Sequence, residues 1–202
     1  MKISPTLTEV KEIAKTGKYD ILPVSCEILS DFITPIEAMR ILRNVSTHCY
    51  LLESAQANEA WGRYTFLGYD PKLEINCIDG HMKLGKLSVE TENPSEYIRQ
   101  ILSEYKSPKF DYLPSFTGGL VGYFSYDYLG YKEKCIRGKA RDTEDFKDVD
   151  LMLFDKVIAF DNLCQKIILI ANMSLDAPET GYNKAIVELK QLRELLMHGE
   201  KK

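Results

Sequence analysis

Residues Tyr50 to Gly68 read YLLESAQANEAWGRYTFLG, and the reading of this stretch decides the fold. Two apolar-rich segments, His48 to Ser54 and Tyr64 to Gly68, flank a polar, Ala-rich connection that carries the only tryptophan, Trp61. Strand-forming runs joined in this way predict a hairpin. Tyr50, Leu51 and Leu52 lead straight into Glu53 and Ser54, so a carboxylate and a hydroxyl fall where a buried strand ends. Arg63 stands just before the return segment and reaches the same ground. Two readings follow from the residue types. One is a hairpin with an ion pair at its open end. The other is a site for a small zwitterion, with its ammonium on Glu53, its carboxylate on Arg63 and its apolar body between them.

Before the hairpin, Leu7, Val10, Ile13 and Ala14 have helical spacing over Thr6 to Lys15, and Gly17 is a stop. Ile21 to Leu29 is a strand in which Pro23 predicts an edge or a bulge. Thr34-Pro35-Ile36-Glu37 starts a second helix with a capping box, presenting Ile36, Met39, Ile41, Leu42 and Val45. After the hairpin, Asp79-Gly80 lies between alternating runs, Lys72 to Ile78 and His81 to Leu84, and predicts a tight turn. Ser95 to Tyr105 is helical, and Lys106 to Ser115 is a loop. Phe116 to Asp127 is strand-forming but holds Gly118, Gly119 and Gly122, which mark close approach of another backbone or a ligand. Tyr131 to Asp148 is polar and reads as a mobile surface loop. Leu151 to Phe160 and Lys166 to Ala171 form an antiparallel pair covered on both faces, and Pro178 to Met197 is one amphipathic helix. Strands in hairpins outnumber helices, so the class is α+β with antiparallel sheets.

The composition is ordinary for a globular chain, with 45% hydrophobic and 28% charged residues. A net charge of −4 supplies no basic footprint and argues against nucleic acid as a partner. No apolar run reaches the length of a membrane span, and the first residues lack a signal-type core, so the expected location is cytoplasmic. The five cysteines are widely spaced with no CxxC pair, and His48, His81 and His198 are scattered. No zinc site or catalytic constellation is readable.

Three segments carry a resemblance to the first component of anthranilate synthase. Leu51 to Ser54 (LLES) followed by Gly62 to Gly68 (GRYTFLG) is similar to that family's LLES…GRYSFLG signature. Phe116 to Asp127 (FTGGLVGYFSYD) resembles its FxGGxxGYxxYD motif, and Asp150 to Asp161 (DLMLFDKVIAFD) resembles the strand pair that follows. Asp31, Thr34-Pro35 and Leu22-Pro23-Val24 also fit, and all the matches keep the family's order.

The resemblance covers only the family's amino-terminal domain, so residues 1–202 are expected to form a single domain of face-to-face sheets with helices outside. It implies a parent lyase of tryptophan biosynthesis that aminates chorismate, releases pyruvate and forms anthranilate. Ammonia would come from a glutamine amidotransferase, component II. Mg²⁺ would be held by a chorismate-binding domain with no counterpart in this sequence, leaving this chain inactive alone, without cofactor or catalytic residues. What the family assigns to this domain is feedback inhibition by L-tryptophan. The LLES segment would receive the inhibitor's amino group at Leu52, Glu53 and Ser54, a basic residue near Arg63 would contribute, and the other domain would supply the opposite wall. Two alternatives stay open: the related domain of aminodeoxychorismate synthase, and a free-standing amino-acid-binding or architectural module.

Overall fold

The computed structural model describes residues 2–53, 62–133 and 146–200. In chain order the elements begin with β1 (Ile3–Ser4), α1 (Leu7–Lys15), β2 (Ile21–Leu29), α2 (Pro35–Val45) and β3 (Cys49–Leu52). Next come β4 (Tyr64–Tyr69), β5 (Leu73–Ile78), β6 (His81–Leu84), β7 (Leu87–Glu90), α3 (Pro94–Ser103) and β8 (Gly119–Phe124). The last are β9 (Val149–Phe154), β10 (Lys156–Asp161), β11 (Lys166–Ser174) and α4 (Pro178–His198). The expected α+β class with antiparallel sheets is what is found. The chain divides into two compact units, one of Met1–Asp70, Tyr105–Gly118 and Asp155–Lys202, the other of Pro71–Glu104 and Gly119–Phe154.

The first unit holds a six-stranded sheet in the order β1-β2-β11-β10-β4-β3, with every pairing antiparallel. Its central strands are buried on both faces, which is why their sequences run apolar without alternation. Ile158, Phe160, Ile167, Leu169 and Ala171 face a core completed by Val10 of α1, Ile41 and Leu42 of α2, and Leu189 and Leu192 of α4. Val157, Ala159, Ile168 and Ile170 face the opposite way, against Leu113 with Tyr64, Phe66, Phe110 and Phe116. Ile167 to Ile170 are essentially fully buried, and each such side chain contributes about 1.5–3 kcal/mol.

Local chemistry sets the helix starts. The Thr6 and Thr34 side chains accept from the backbone N–H of Glu9 and Glu37, and each threonine N–H donates back to that glutamate's carboxylate, giving two complete capping boxes. The phase of α2 differs from the expectation: Ala38, Ile41 and Leu42 are buried, whereas Ile36 and Val45 are exposed. Both of those lie off the stripe that the sheet covers. Pro23 is tolerated because β1 pairs only with Ser25 and Cys26, leaving the outer side of β2 at Pro23 without a neighbour strand in β1.

The second unit is a five-stranded antiparallel sheet in the order β7-β6-β5-β9-β8, with a core of Ile75, Cys77, Met82, Ile98, Val149 and Leu151. Asp79 and Gly80 take φ of 48° and 85° in the β5–β6 turn, the conformation that Asp-Gly favours. Gly122 has φ 152°, and a Cβ there would lie 2.0 Å from the Asp150 carbonyl oxygen of β9. The predicted close backbone approach is therefore real, and its partner is a neighbouring strand. The run from Leu151 to Phe160 is not one strand: it breaks at Asp155 into β9 and β10, which belong to different sheets. Strand β7 was not expected. The predicted loop over Tyr131 to Asp148 falls mostly on residues 134–145, outside the described residues.

Candidate functional site

Strand β3 is the edge of the six-stranded sheet and pairs with β4 from Cys49↔Tyr69 to Leu52↔Phe66. Its register leaves Tyr50 opposite Gly68, where a Cβ would sit 2.2 Å from a Tyr50 ring carbon. The glycine that ends GRYTFLG thus makes room for the first residue of the stretch. Tyr50 then meets Phe116 edge-on with centroids 6.4 Å apart, and Phe116 meets Phe66 in the same manner at 5.7 Å. These contacts bring the first residue of the FTGG segment onto the LLES hairpin, uniting two motifs about fifty residues apart, a separation bridged by aromatic packing.

Of the predicted site residues, Leu52, Glu53 and Arg63 lie at one end of this hairpin. Leu52 is the last paired residue of β3 and is 48% exposed, and Glu53 follows it, also exposed. Ser54 and Trp61 lie outside the described residues. Arg63 directly precedes β4 at the same end. Its ionic partner is Asp161, the last residue of β10, and not Glu53. Arg63 Nε donates to Asp161 Oδ1 at 3.1 Å and Nη2 donates to Oδ2 at 2.8 Å. Nη2 also lies 3.6 Å from Cys164 Sγ, and the guanidinium carbon is 4.9 Å from the Tyr64 ring centroid. The ion pair expected at the open end exists, but the acid comes from the neighbouring strand.

Asp161 is built into this position. Its side chain is fully buried, and it also accepts from the backbone N–H groups of Leu163 and Cys164 at 3.2 and 3.1 Å. Burial alone would raise its pKa. The Arg63 guanidinium and the Cys164 N–H outweigh that and hold the carboxyl down at about 2. The same carboxylate pushes Arg63 still higher. Asn162 completes the clamp: its N–H donates to the Arg63 carbonyl at 2.9 Å and its Nδ2 to Thr65 Oγ1 at 3.3 Å. Sequence reasoning missed Asp161. The available signal was an Asp at a strand end opening a turn, a place where carboxylates commonly take backbone N–H bonds.

The site offers an exposed carboxylate, a fixed guanidinium and an apolar strand end. Among the described residues no three His, Cys, Asp or Glu side chains are grouped so as to hold a metal ion. No described helix is long and apolar enough to cross a membrane. A hollow of about 400 Å³ lined by Ser4, Pro5, Glu9, Ile13, Phe110 and Tyr112 shares none of the strand-end residues.

No family model matches the chain. Anthranilate synthase component 1 of Acetivibrio thermocellus is 34% identical over 198 residues, covering 95% of this chain and 39% of that protein. The protein of the same name from Pseudomonas aeruginosa is 36% identical over 196 residues, covering 93% of this chain and 39% of its own length. The chain thus spans about two fifths of the curated relatives it matches. The crystal structure of anthranilate synthase component I from Streptococcus pneumoniae TIGR4 superposes with a TM-score of 0.53 at 25% identity, covering 82% of this chain and 36% of that one. In sequence and in fold alike, this chain is similar to the amino-terminal portion of anthranilate synthase component 1.

Proposed function

We propose that the β3–β4 strand end is half of a feedback site for L-tryptophan in a protein that makes anthranilate from chorismate. The carrying observation is that β3 and β4 pair antiparallel with Glu53 and Arg63 at one end, in a chain matching anthranilate synthase component 1 over 93–95% of its length. Glu53 takes the ammonium, Ser54 adds a hydrogen bond, Leu52 borders the indole and Arg63 answers the carboxylate. Chorismate binding, Mg²⁺ and loss of pyruvate are assigned to the further length that the relatives carry, ammonia supply to a component II amidotransferase, and the location to the cytoplasm. This chain alone is expected to make no anthranilate. The edge strand β8 and the 3₁₀ turn after it expose Tyr123, Phe124, Leu129 and, most fully, Tyr126, a surface suited to covering by the chorismate-binding portion. Phe116 lies outside that surface, packed against Tyr50 and Phe66.

The test is inhibition of the full-length enzyme across a tryptophan titration. Charge-assisted bonds are worth about 1.5–3 kcal/mol when desolvated, so Glu53→Ala raises the inhibitory concentration about tenfold or more with turnover retained. Unchanged inhibition in a folded Glu53→Ala enzyme refutes the site. For this chain alone, with one wall open to water, tryptophan binding is on the order of millimolar or weaker. Sedimentation should show self-association through the exposed aromatics, and a strict monomer at high concentration speaks against that surface.

A further inference from the structure

We infer that Asp161 is a positioning residue: it holds Arg63 by the side-on fork of Nε and Nη2 and leaves the edge that bears Nη1 to a ligand carboxylate. The inference rests on the reading of this strand end as a tryptophan half-site and adds how the carboxylate is received. Among the described residues Arg63 Nη1 makes no hydrogen bond, while Nε and Nη2 are both committed to Asp161.

The commitment is not reversible by a ligand. The Asp161 side chain is fully buried, and pulling Arg63 away would leave that carboxylate without a countercharge, held only by the Leu163 and Cys164 N–H groups, a penalty larger than the gain from a contact open to water. The backbone of Arg63 is held too, by the Asn162 N–H, and its guanidinium lies against the Tyr64 ring. Two consecutive residues of the β10–β11 turn thus fix both the main chain and the side chain of Arg63. Because the Arg63–Asp161 pair carries no net charge, it discriminates by the direction of its free N–H groups and not by bulk attraction. The carboxylate of an α-amino acid is therefore met on the edge that bears Nη1, because Asp161 already fills the side-on Nε/Nη2 fork.

The experiment compares L-tryptophan with L-tryptophanamide, which keeps the ammonium and loses the carboxylate charge, by calorimetry on the full-length protein. The wild type is expected to favour tryptophan by about tenfold, the low end for one charge-assisted contact. Asp161→Asn and Arg63→Lys should bring that ratio near one with amide binding unchanged. Lysine can answer Asp161 but has no second edge, so it tests the idea even if the asparagine variant folds poorly. As a readout independent of ligand, the Arg63 Nε–H resonance should exchange slowly with water in the wild type and rapidly in Asp161→Asn. A wild type that binds neither ligand overturns the tryptophan reading and this inference with it. A wild type that favours tryptophan, with variants that keep the same ratio, overturns the positioning role alone.

Discussion

Replacing Asp161 by alanine would remove four hydrogen bonds at once, two from Arg63 and one each from the Leu163 and Cys164 N–H groups. Losing one partner of a fully buried ion pair costs about 3–5 kcal/mol. The Arg63 side chain is 36% exposed, so water recovers part of this and about 2–3 kcal/mol is left. The acidity of Asp161 supplies a second figure. Its folded-state pKa of about 2 against an ordinary 3.8 corresponds to roughly 2–3 kcal/mol. The folded value is the lower one, so this stability is complete above pH 3.8 and is lost as the pH falls toward 2. Native-state hydrogen exchange at Ile168 and Leu169, in the middle of β11, reads the unit concerned. Protection there should drop about 30- to 150-fold in Asp161→Ala at neutral pH, the equivalent of 2–3 kcal/mol. The gap from wild type should hold down to about pH 4 and close below it. Protection within about threefold of wild type, or a gap that does not narrow in acid, would refute the clamp.

Other substitutions test the packing. Gly68→Ala drives a Cβ into the Tyr50 ring and should cost about 1–3 kcal/mol, with Tyr50→Leu in the same chain restoring most of the loss in urea unfolding. Gly122→Ala meets the Asp150 carbonyl at 2.0 Å with a φ of 152°. Loss of amide protection throughout β8 and β9 is expected, and a spectrum like wild type would show that the strands can separate cheaply. Thr34→Ala removes the cap of α2 and should lower stability by about 1 kcal/mol, read as a lower urea midpoint at unchanged slope. A loss below a few tenths of a kcal/mol would mean that Pro35 and Glu37 hold the helix start without it.

What the sequence determined by itself was whatever depends on neighbours along the chain. Thr34 and Glu37 stand three residues apart, so a capping box needs no tertiary partner, and Asp79-Gly80 carries its turn conformation in its own backbone preferences. The LLES and GRYTFLG segments are likewise close enough for their patterning to predict the hairpin and to place Leu52, Glu53 and Arg63 at one end of it. Tertiary structure alone decided the rest. Ile36 and Val45 are apolar and helical, yet which stripe of α2 meets the sheet depends on where β3 and β4 lie. In Leu151 to Phe160 the charged pair Asp155-Lys156 marks an interruption, but nothing in the hydropathy says that the buried halves β9 and β10 belong to different sheets. The choice of Asp161 over Glu53 as the partner of Arg63 has the same origin. Glu53 is the nearer acid in sequence, but β10 lies beside β4 and sets Asp161 opposite Tyr64, where burial makes the pairing obligatory. Spacing along the chain reports local geometry, whereas which charge a buried carboxylate meets is fixed by the neighbouring strand.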